Sequence, residues 1–452
     1  MASREQAGHS VQGGPVSLIV GLGRTGVSCA RYLAAHGHEI RVTDSRQAPP
    51  GLAELGRVAP GARVSLGGFD ESLLDGADQV VVSPGVSLRE PLLVAAAARG
   101  LDVVGDIELF AREVSGPVVA ITGTNGKSTV TTLVGEIAEA AGVDVRVGGN
   151  IGRPALELLA GEPAALYVLE LSSFQLETTR SLELAAATVL NLTPDHMDRY
   201  ADLAEYAGAK ARIFDHCGLA VVNLDDEFVL RMPRPGQATA GFSLARADAD
   251  YALADLGGAP WLVARGEPLL PLRDLRIAGL HNAANALAAV ALADAVGLPR
   301  AASVAALTHF PGLPHRAQVV AEANGVRWIN DSKATNVGAA LATLNGLPGP
   351  LVLIAGGDGK GQDFGPLAAP LEGKVKLAIL IGRDAPAVAA ALEGACPVRR
   401  AASLEDAVAE ARAASAPGDT VILSPACASL DMFRDYAHRG EVFAAAAARV
   451  CA

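Results

Sequence analysis

One local pattern occurs three times along this sequence: a short apolar run leads into a Gly-rich turn, and an Ala- and Leu-rich stretch follows. The apolar runs predict buried strands and the stretches after them predict helices, which is the arrangement of parallel strands joined by crossover helices. The strands are predicted at residues 16–20, 117–121 and 351–355, and the turns after them at residues 21–26, 122–128 and 356–360. Ligands bind beyond the carboxyl ends of parallel strands, so all three turns are expected to face ligands. The pattern therefore predicts an α/β fold with mainly parallel sheets.

The length of 452 residues favours about three domains, because a single hydrophobic core rarely grows beyond about 300 residues. Gly105 and the Pro-Gly-Leu-Pro run at residues 311–314 interrupt regular structure and are typical of domain joints. We predict domains at residues 1–105, 106–312 and 313–452. A helix is also predicted to begin at Ser403, where Asp406 lies three residues further on as a capping partner.

The charge and the aromatic content exclude one large class of partner. The net charge is -12 and only 4% of the residues are aromatic. Nucleic-acid binding requires clustered basic residues that release counterions. We therefore expect no nucleic-acid partner.

Cysteine usage and hydropathy favour a cytoplasmic protein. The five cysteines form no Cys-x-x-Cys pair, the first fourteen residues contain no apolar signal core, and no apolar run reaches the 18 or so residues that span a bilayer. We expect a reducing compartment, a cytoplasmic location and no membrane insertion.

The most specific motif is the run Gly123-Thr124-Asn125-Gly126-Lys127-Ser128-Thr129, which directly follows a predicted strand. Backbone N–H groups at the start of a helix can surround phosphate oxygens, Lys127 can neutralise the charge on the β- and γ-phosphates, and Ser128 can offer a hydroxyl to Mg²⁺. The run departs from the general G-x-x-x-x-G-K-[ST] pattern, since Ile occupies position 121. The alternative is a plain strand-to-helix turn with a lysine in solvent. Gly-Lys-Ser-Thr at this edge of a sheet favours ATP binding instead.

A second glycine pattern, at Gly21, Gly23 and Gly26, is followed by Asp44 at the end of the next predicted strand. This spacing meets the dinucleotide fingerprint, in which the turn holds a pyrophosphate and the acid holds a ribose. Three interpretations fit the spacing: a nicotinamide dinucleotide, another nucleotide diphosphate, or a close-packed turn without a ligand.

Acidic residues also follow two further predicted strands. Glu170 comes directly after the strand at residues 166–169, where a carboxylate can complete a Mg²⁺ site opposite Ser128. The loop after the strand at residues 187–190 holds His196 between two acids. A lone histidine more often packs or forms hydrogen bonds than binds a ligand, but the neighbouring acids favour a functional role for His196.

Eight motifs together resemble the Mur ligases, and the resemblance covers essentially the whole chain. They are the runs at residues 122–128, 170–176, 191–200, 279–285, 312–316, 330–336, 356–360 and 424–431. The first two are of a kind shared by all Mur ligases. The last three are similar to those of the members that add D-glutamate to UDP-N-acetylmuramoyl-L-alanine. The Asp-Asn-Pro-Arg run typical of the diaminopimelate-adding members is absent from the sequence.

This resemblance implies three domains: an N-terminal Rossmann-like domain that binds the UDP substrate, a central P-loop ATPase-like domain with a mainly parallel sheet, and a C-terminal Rossmann-like domain that binds the amino acid. It also implies an ATP-dependent ligase of peptidoglycan precursor synthesis that acts as a monomer, through an acyl phosphate. The short phosphate loop is the form that this family uses. The first glycine turn would then hold a uridine nucleotide.

The resemblance also implies roles for individual residues. Those implied for the UDP-linked substrate are Arg24, Thr25, Gly26, Asp44, Ser45, Arg46, Ser83, Gly85, Asn150, Ser172 and Gln175. Those implied for ATP, besides the loop from Gly123 to Thr129, are Asn282 and Asn285 at the adenine, Arg316 at the γ-phosphate and Asp331 at the ribose. Those implied for D-glutamate are Lys333, Thr335, Lys360, Ser429, Leu430 and Tyr436, the last at a position where the family often has Phe.

Two Mg²⁺ ions are implied as well. Their ligands would be Ser128, Glu170, His196 and Lys210, the last as a carbamate formed with CO₂. Carbamylation replaces a cation with an anion that can bind a metal ion. Without the resemblance, the sequence favours an exposed helical lysine at position 210. The catalytic residues that the resemblance implies are Lys127, Glu170, His196, Lys210 and Arg316.

Other functions fit part of the sequence. The nearest are another amino-acid-adding Mur ligase and a ligase similar to folylpolyglutamate synthases, and a panel of amino acids would separate them. A nicotinamide-dependent dehydrogenase would use the turn at residues 21–26, but it leaves the loop at Lys127 unexplained. A nucleotide-binding switch without chemistry would have no need for Glu170, His196 and Lys210.

Overall fold

The computed structural model describes residues 14–277 and 279–451. The segment at residues 1–13, on which the expectation of no signal peptide depends, lies outside the described residues. The chain divides into two compact units: the first holds the residues up to Pro117 together with Arg146–Glu183, and the second holds Val118–Val145 together with the residues from Leu184 onward. The predicted domain boundary at residue 105 lies within the first unit, and the one at residue 312 lies within the second.

Strands and helices alternate along most of the described chain. The strands are β1 (Val16–Val20), β2 (Glu39–Asp44), β3 (Arg63–Leu66), β4 (Gln79–Val82), β5 (Asp102–Val104), β6 (Val118–Thr122), β7 (Val145–Gly149), β8 (Leu166–Glu170), β9 (Leu184–Val189), β10 (Cys217–Asn223), β11 (Thr239–Ser243), β12 (Tyr251–Asp255), β13 (Pro260–Ala264), β14 (Glu267–Pro271), β15 (Gln318–Ala323), β16 (Val326–Asn330), β17 (Leu351–Gly356), β18 (Val375–Ile381), β19 (Val398–Arg400) and β20 (Thr420–Leu423).

The α-helices are α1 (Arg24–Ala35), α2 (Leu52–Val58), α3 (Pro91–Ala98), α4 (Asp106–Ala111), α5 (Lys127–Ala140), α6 (Ser173–Glu177), α7 (Leu203–Ala211), α8 (Leu280–Ala295), α9 (Arg300–His309), α10 (Val337–Gly346), α11 (Ala368–Leu371), α12 (Ala385–Ala391), α13 (Leu404–Ala414) and α14 (Tyr436–Cys451). Short 3₁₀-helices occur at Glu71–Leu74, Ala155–Leu159, Arg212–Phe214, Val229–Arg231, Leu272–Asp274 and Gly365–Leu367. None of these helices is long and apolar enough to cross a membrane.

Five strands of the first unit form a fully parallel sheet in the order β3-β2-β1-β4-β5. β1 lies at its centre, and its residues from Ser17 to Val20 are fully buried. The turn from β1 into α1 is close-packed, because a Cβ on Gly26 would lie 2.2 Å from the carbonyl oxygen of Gly21. Only glycine fits at position 26, so the first glycine pattern brings the start of α1 against the end of β1.

One sheet of the second unit contains the strands β14-β13-β12-β11-β10-β9-β6 in that order. The strands from β6 to β12 in this order pair in parallel, and β13 and β14 add an antiparallel edge. Helix α8 packs against α5 and is wholly buried between Ala286 and Ala293. A helix that is apolar on all sides belongs in a core. Helix α8 is therefore a core helix next to α5, the helix that follows the turn after β6.

The other sheet of the second unit has the order β15-β16-β20-β17-β18-β19, and all of its pairs are parallel except β15 with β16. On the central strand β17, Leu353 belongs to the core on one face, while Val352 and Ile354 belong to the core on the other. A strand that is buried on both faces requires a helical layer on each side of the sheet.

The structure confirms the predicted α/β fold class with mainly parallel sheets. The strand predicted at residues 16–20 has those bounds, and the one predicted at residues 117–121 is β6, shifted by one residue. Helix α13 begins directly after Ser403, whose hydroxyl accepts a hydrogen bond from the N–H of Asp406. That cap confirms the predicted start of this helix.

Candidate functional site

The loop between β6 and α5 is held in shape by its own polar groups. Gly126 has a φ of +86°, and a Cβ there would lie 2.4 Å from Oδ1 of Asn285, so only glycine fits. The side chain of Lys127 turns back over the loop, and its Nζ donates to the carbonyl oxygens of Gly123 and Thr124 at 2.8 Å each. The loop therefore places a cation beside the N–H groups at the start of a helix, an arrangement suited to phosphate.

The loop after β9 is bound to this phosphate loop by reciprocal hydrogen bonds. The N–H of Asn125 donates to Oδ1 of Asn191 at 2.8 Å, and Nδ2 of Asn191 donates to the carbonyl oxygen of Asn125 at 3.0 Å. The hydroxyl of Thr124 donates to the carbonyl oxygen of Thr193 at 3.1 Å. These bonds fix the backbone just before Asp195 and hold the two loops together.

Three lysines lie close enough to His196 for their charges to affect its pKa. Burial lowers its pKa; Asp195 acts in the opposite direction, and the charges of Lys360, Lys127 and Lys210 lower the pKa further. The backbone of His196 has a φ of +58°, which is uncommon for a residue other than glycine. A neutral imidazole can bind a metal ion, and three nearby ammonium groups suit phosphate oxygens.

Lys210 is buried, which corrects the expectation of an exposed helical lysine from sequence alone. Its side chain is 1% exposed. Its Nζ donates to the carbonyl oxygen of Gly123 at 2.9 Å and lies 4.6 Å from the centroid of the Tyr206 ring. Helix α7 thus carries the amine directly behind the phosphate loop. The Nζ of Lys210 also lies 3.5 Å from Oγ1 of Thr122 at the end of β6, a contact between residues 88 positions apart that local sequence does not record.

Asp195 joins the loop after β9 to the last third of the chain. Its Oδ1 accepts a hydrogen bond from Nζ of Lys360 at 3.2 Å, and its Oδ2 accepts one from Nδ2 of Asn336 at 3.1 Å. Nδ2 of Asn336 also donates to Oδ1 of Asn125 at 3.3 Å. Burial would raise the pKa of Asp195, but the charges of His196 and Lys360 and these hydrogen bonds hold it below its ordinary value.

Asp195 and Asn336 are absent from the residues that the sequence assigned to the site. Asp195 could have been predicted as a site residue, because it directly precedes His196 in the sequence. A signal for Asn336 was its place before the apolar run that becomes α10, where its side chain caps the helix by accepting a hydrogen bond from the N–H of Ala339.

Of the two residues predicted to bind adenine, Asn285 lies beside the phosphate loop and Asn282 is hydrogen-bonded to Asn285. Asn285 is buried and packs against Gly126, and its Nδ2 donates to Oδ1 of Asn282 at 3.2 Å. The two amides are one helical turn apart on α8. The structure therefore brings both to the same end of this helix.

The predicted ribose residue, Asp331, is buried at the end of β16. Its Oδ2 accepts a hydrogen bond from the hydroxyl of Ser424 at 2.9 Å and its Oδ1 accepts one from the N–H of Ala317 at 3.1 Å. Burial raises the pKa of Asp331 to about 6, although hydrogen bonds and the charge of Arg316 act against it. Arg316 is thus close enough to influence this carboxylate.

Two of the residues predicted to bind D-glutamate, Lys333 and Tyr436, are in contact with each other. Nζ of Lys333 lies 4.0 Å from the centroid of the Tyr436 ring, a cation–π contact. The N–H of Thr335 donates to the carbonyl oxygen of Lys333 at 2.8 Å. Ser429 is buried, whereas Leu430 next to it is 72% exposed. Lys333 and Tyr436 are thus in contact, Thr335 is hydrogen-bonded to the backbone of Lys333, and Leu430 faces solvent.

Arg439 is a residue of this region that the sequence analysis missed. Its side chain is 0% exposed, and its Nη2 donates to the carbonyl oxygens of Ser332 at 2.8 Å and Cys427 at 3.1 Å. Its Nη1 donates to the carbonyl oxygen of Ala428 at 3.2 Å. Burial lowers the pKa of Arg439 to about 10. The sequence could have indicated its burial, because Arg439 lies four residues before the apolar Phe443 and therefore on the same face of the helix.

A cavity of about 530 Å³ lies in the first unit, at the carboxyl ends of its parallel strands. Most of the residues predicted for the UDP-linked substrate line it, namely Arg24, Thr25, Asp44, Ser45, Arg46, Ser83, Gly85, Asn150 and Gln175. Gly26 and Ser172 do not. Gly26 instead packs against Gly21, and Ser172 caps helix α6.

Asp44 organises one wall of this cavity. Its Oδ2 accepts hydrogen bonds from the N–H of Leu22 and from Nη2 of Arg46, both at 2.7 Å. Its Oδ1 accepts further hydrogen bonds from the backbone and Nε of Arg46. The hydrogen bond from Arg46 is the main cause that lowers the pKa of Asp44 to about 2. Both oxygens are therefore already engaged with the protein.

Glu170 is the last residue of strand β8, and only one of its two carboxylate oxygens accepts a hydrogen bond from the described residues. It is 3% exposed, and its Oε1 accepts a hydrogen bond from Nδ2 of Asn150 at 2.7 Å. Its Oε2 is buried and has no hydrogen-bond partner among the described residues. Such an oxygen costs free energy unless a cation or donor meets it, so the residue suits a metal ion.

Glu170 belongs to the first unit, whereas Ser128, His196 and Lys210 belong to the second. No group of three or more His, Cys, Asp and Glu side chains in residues 14–277 and 279–451 is placed to hold a metal ion. A Mg²⁺ ion at the phosphate loop would therefore depend on phosphate oxygens and on ligands of other kinds, such as the hydroxyl of Ser128.

Three family models match the chain in succession. They are described as "Mur ligase MurD-like, N-terminal domain" at residues 16–105, "Mur ligase middle domain" at residues 121–293, and "Mur ligase, glutamate ligase domain" at residues 315–427. Together they cover more than half of the sequence.

Curated proteins and solved structures agree with these matches. A UDP-N-acetylmuramoylalanine–D-glutamate ligase from Nitrosococcus oceani is 54% identical over 94% of this chain and 95% of its own length. A protein of the same name from Methylococcus capsulatus is 54% identical over 95% of this chain and 93% of its own length. The structure of a UDP-N-acetylmuramate–alanine ligase from Thermotoga maritima, at 18% identity, covers 95% of this chain and 98% of its own with a TM-score of 0.61, which shows a shared fold.

Proposed function

The chain belongs to the Mur ligase family, and we propose that it adds D-glutamate to UDP-N-acetylmuramoyl-L-alanine with conversion of ATP to ADP and phosphate. The observation that carries this proposal is the 54% identity, over 94% of the chain, to a relative named for that reaction. The reaction belongs to peptidoglycan precursor synthesis and hence to cell-wall growth. We place it in the cytoplasm, where ATP is available, and propose that the enzyme acts as a monomer. We also propose domains at residues 1–105, 106–312 and 313–452.

ATP and Mg²⁺ are used generally in this family. We propose that the loop at residues 123–129 holds the phosphates, with Lys127 against the β- and γ-phosphates. The charges of Lys127 and Lys360 near His196 support this role, because they oppose the charge of a triphosphate. Arg316 would meet the γ-phosphate, Asn282 and Asn285 the adenine, and Asp331 the ribose. The UDP-linked substrate would occupy the cavity of the first unit.

The proposed reaction has two steps. The alanine carboxylate of the substrate attacks the γ-phosphorus of ATP, the bond to the bridging oxygen breaks, and ADP leaves, which gives an acyl phosphate. The amine of D-glutamate then attacks the acyl carbon, phosphate leaves, and the amine loses a proton as the amide forms. Phosphorylation is needed because a carboxylate is a poor acyl donor. Lys127 and Arg316 stabilise the charge that gathers on the transferred phosphoryl group.

We propose that two Mg²⁺ ions are held by Ser128, Glu170, His196 and a carbamylated Lys210. When bound, Mg²⁺ neutralises charge on the phosphate oxygens. The buried Oε2 of Glu170, which has no hydrogen-bond partner in the part of the chain that the structure describes, and the lowered pKa of His196 support this donor set. The burial of Lys210 supports carbamylation, since a buried ammonium ion is costly to desolvate. Incubation with ¹³CO₂ and carbon NMR would test the carbamate directly.

For the amino acid, we propose that Lys333, Thr335, Lys360 and Ser429 hold the carboxylates of D-glutamate, with Leu430 and Tyr436 beside them. The contact of Lys333 with the Tyr436 ring supports a shared pocket. Two carboxylates on one substrate call for more than one cation, and Lys333 and Lys360 supply them.

The experiment that tests the proposal measures ADP release by the purified protein with Mg²⁺, ATP and UDP-N-acetylmuramoyl-L-alanine, with and without D-glutamate. Mass spectrometry identifies the nucleotide product. We expect ADP release only with both substrates, together with the glutamyl adduct. A panel of other amino acids and a folate acceptor is the control. Turnover with one of these and none with D-glutamate would assign the chain to a different ligase of the same fold.

One pair of variants tests the phosphate loop itself. We expect Lys127→Ala to abolish ADP formation, because the cation that faces the β- and γ-phosphates is removed. Glu136→Gln, an exposed position on the same helix, is the matched control and should keep the wild-type rate. Wild-type turnover by Lys127→Ala would disprove the assignment of this loop.

A further inference from the structure

The carboxamide of Gln175 is fixed on one side by the start of helix α6. Gln175 is 3% exposed and lines the cavity of the first unit. Its Oε1 accepts a hydrogen bond from the N–H of Ser172 at 3.1 Å, and its own N–H donates to the hydroxyl of Ser172 at 3.2 Å. This capping box requires an acceptor at Oε1, so the amide nitrogen must face the other way.

Asp106 accepts a hydrogen bond from the amide nitrogen of Gln175. Oδ2 of Asp106 accepts a hydrogen bond from Nε2 of Gln175 at 3.1 Å, although the two residues are 69 positions apart. Asp106 is 2% exposed, and burial raises its pKa to about 6, so the carboxylate is mostly charged at neutral pH. A charged carboxylate only accepts hydrogen bonds, and it would repel the amide oxygen if the carboxamide turned over. Asp106 therefore selects one orientation of Gln175.

The packing around this pair leaves it little freedom. Asp106 begins helix α4, and a Cβ on the preceding Gly105 would lie 2.4 Å from Oγ1 of Thr178, just after α6. Thr179 also donates a hydrogen bond to the carbonyl oxygen of Gln175 at 2.8 Å. The two helix ends are therefore held in close contact, and the Asp106–Gln175 bond cannot lengthen without moving both.

An amide nitrogen carries two hydrogens, and Asp106 takes one of them. Among the described residues, Nε2 of Gln175 forms no hydrogen bond other than that to Asp106, and Gln175 lines the cavity, so the second N–H is left for a molecule there. We infer that Asp106 is a positioning residue for the UDP-linked substrate, because it holds Gln175 with an N–H rather than an oxygen toward the cavity. The substrate group that this N–H recognises is an acceptor, such as a carbonyl or phosphate oxygen. This inference rests on the proposed function for the identity of the substrate.

The pair could instead stabilise the fold without any role in substrate binding. Exchanging the carboxylate and the carboxamide between positions 106 and 175 distinguishes these two roles. In the double variant Asp106→Asn with Gln175→Glu, Nδ2 of the new amide donates to the new carboxylate, and that carboxylate still accepts from the N–H of Ser172. The internal bond and the capping box are thus restored, while the N–H toward the cavity is lost. A carboxylate oxygen takes its place and repels an acceptor.

The test compares the wild type, both single variants and the double variant for thermal midpoint, for the KM of UDP-N-acetylmuramoyl-L-alanine and for its Kd by calorimetry without ATP. We expect Gln175→Glu alone to lower the thermal midpoint, because two buried carboxylates then face each other. The double variant should recover the wild-type midpoint but keep a KM and Kd at least about tenfold above the wild type. The KM of the double variant for ATP should stay at the wild-type value.

Recovery of both the midpoint and the substrate affinity in the double variant would overturn the inference, since the pair would then serve the fold alone. If the Gln175→Glu protein does not fold, the double variant against the wild type gives the same decision. Asp102→Asn, the same chemical change four residues earlier on a partly exposed ion pair, is the matched control and should keep the wild-type Kd. A wild-type protein that forms no glutamyl product contradicts the proposed function instead, and the calorimetric Kd still tests the role of Asp106.

Discussion

The ammonium group of Lys360 and the carboxylate of Asp195 form an ion pair at 3.2 Å between residues 165 positions apart. Lys360 is one of the cations that we propose for the carboxylates of D-glutamate. Asp195 lies beside His196 and also accepts a hydrogen bond from Asn336. One carboxylate therefore ties the proposed amino-acid residues to the loop beside the phosphate site.

We expect Lys360 and Asp195 to be energetically coupled. Lys360→Met removes a partner from a buried carboxylate, so it should lower the free energy of unfolding by about 1–3 kcal/mol. In an Asp195→Asn background the same substitution should cost clearly less. Urea unfolding of the four proteins measures the coupling. Lys376→Met, which breaks the separate ion pair with Asp419, serves as the control and should be additive with Asp195→Asn.

Tyr436 should act through its ring rather than through its hydroxyl. The contact with Nζ of Lys333 is made by the ring face, so Tyr436→Phe should bind D-glutamate as the wild type does. Tyr436→Leu removes a cation–π contact worth about 0.5–2 kcal/mol, which corresponds to a KM for D-glutamate raised by about 2- to 30-fold. Initial-rate kinetics at saturating ATP check this. A KM raised equally in both variants would point to the hydroxyl.

Arg439 should be important for stability as well as for the amino-acid pocket. Arg439→Lys keeps the charge but cannot reach three carbonyl oxygens at once, so buried acceptors lose their donors. We expect the free energy of unfolding to fall by about 2–4 kcal/mol and the KM for D-glutamate to rise, because Ser429 directly follows the carbonyls that Arg439 holds. Arg434→Lys, at an exposed position, should change neither. Denaturant unfolding and initial rates give both values.

Local sequence predicts the features of this molecule that are set by residues close together in the chain. The apolar run and glycine turn at residues 117–128 were enough to place the phosphate loop between a strand and a helix. Without the family resemblance, the local sequence favoured an exposed Lys210, because its helix alone does not record what packs on it. The partners of Arg439 come from segments near residues 332 and 427, and no local pattern reports contacts at that separation. Sequence reasoning therefore identified the loops and Lys360, but it missed Asp195, Asn336 and Arg439, whose side chains join segments that are distant in the sequence.

The ion pair of Asp44 with Arg46 should make stability depend on acid pH. The folded pKa of Asp44, about 2, lies below the ordinary value near 3.9, so folding favours the charged carboxylate. That contribution is present above about pH 4 and is lost as the pH falls through the interval from about 4 to 2. Arg46→Met removes the main cause, so the variant should be less stable than the wild type at pH 7. The difference should shrink as the pH falls below 4.

Urea unfolding at pH 7, 5, 4 and 3 measures that difference. Arg57→Met, on the exposed side of α2, removes the same charge without touching Asp44 and is the control. A difference that stays constant over this range would mean that Arg46 stabilises the fold through packing of its side chain. A difference that narrows toward pH 3 only for Arg46→Met would assign the effect to the Asp44 carboxylate, because a general change in net charge would affect both variants alike.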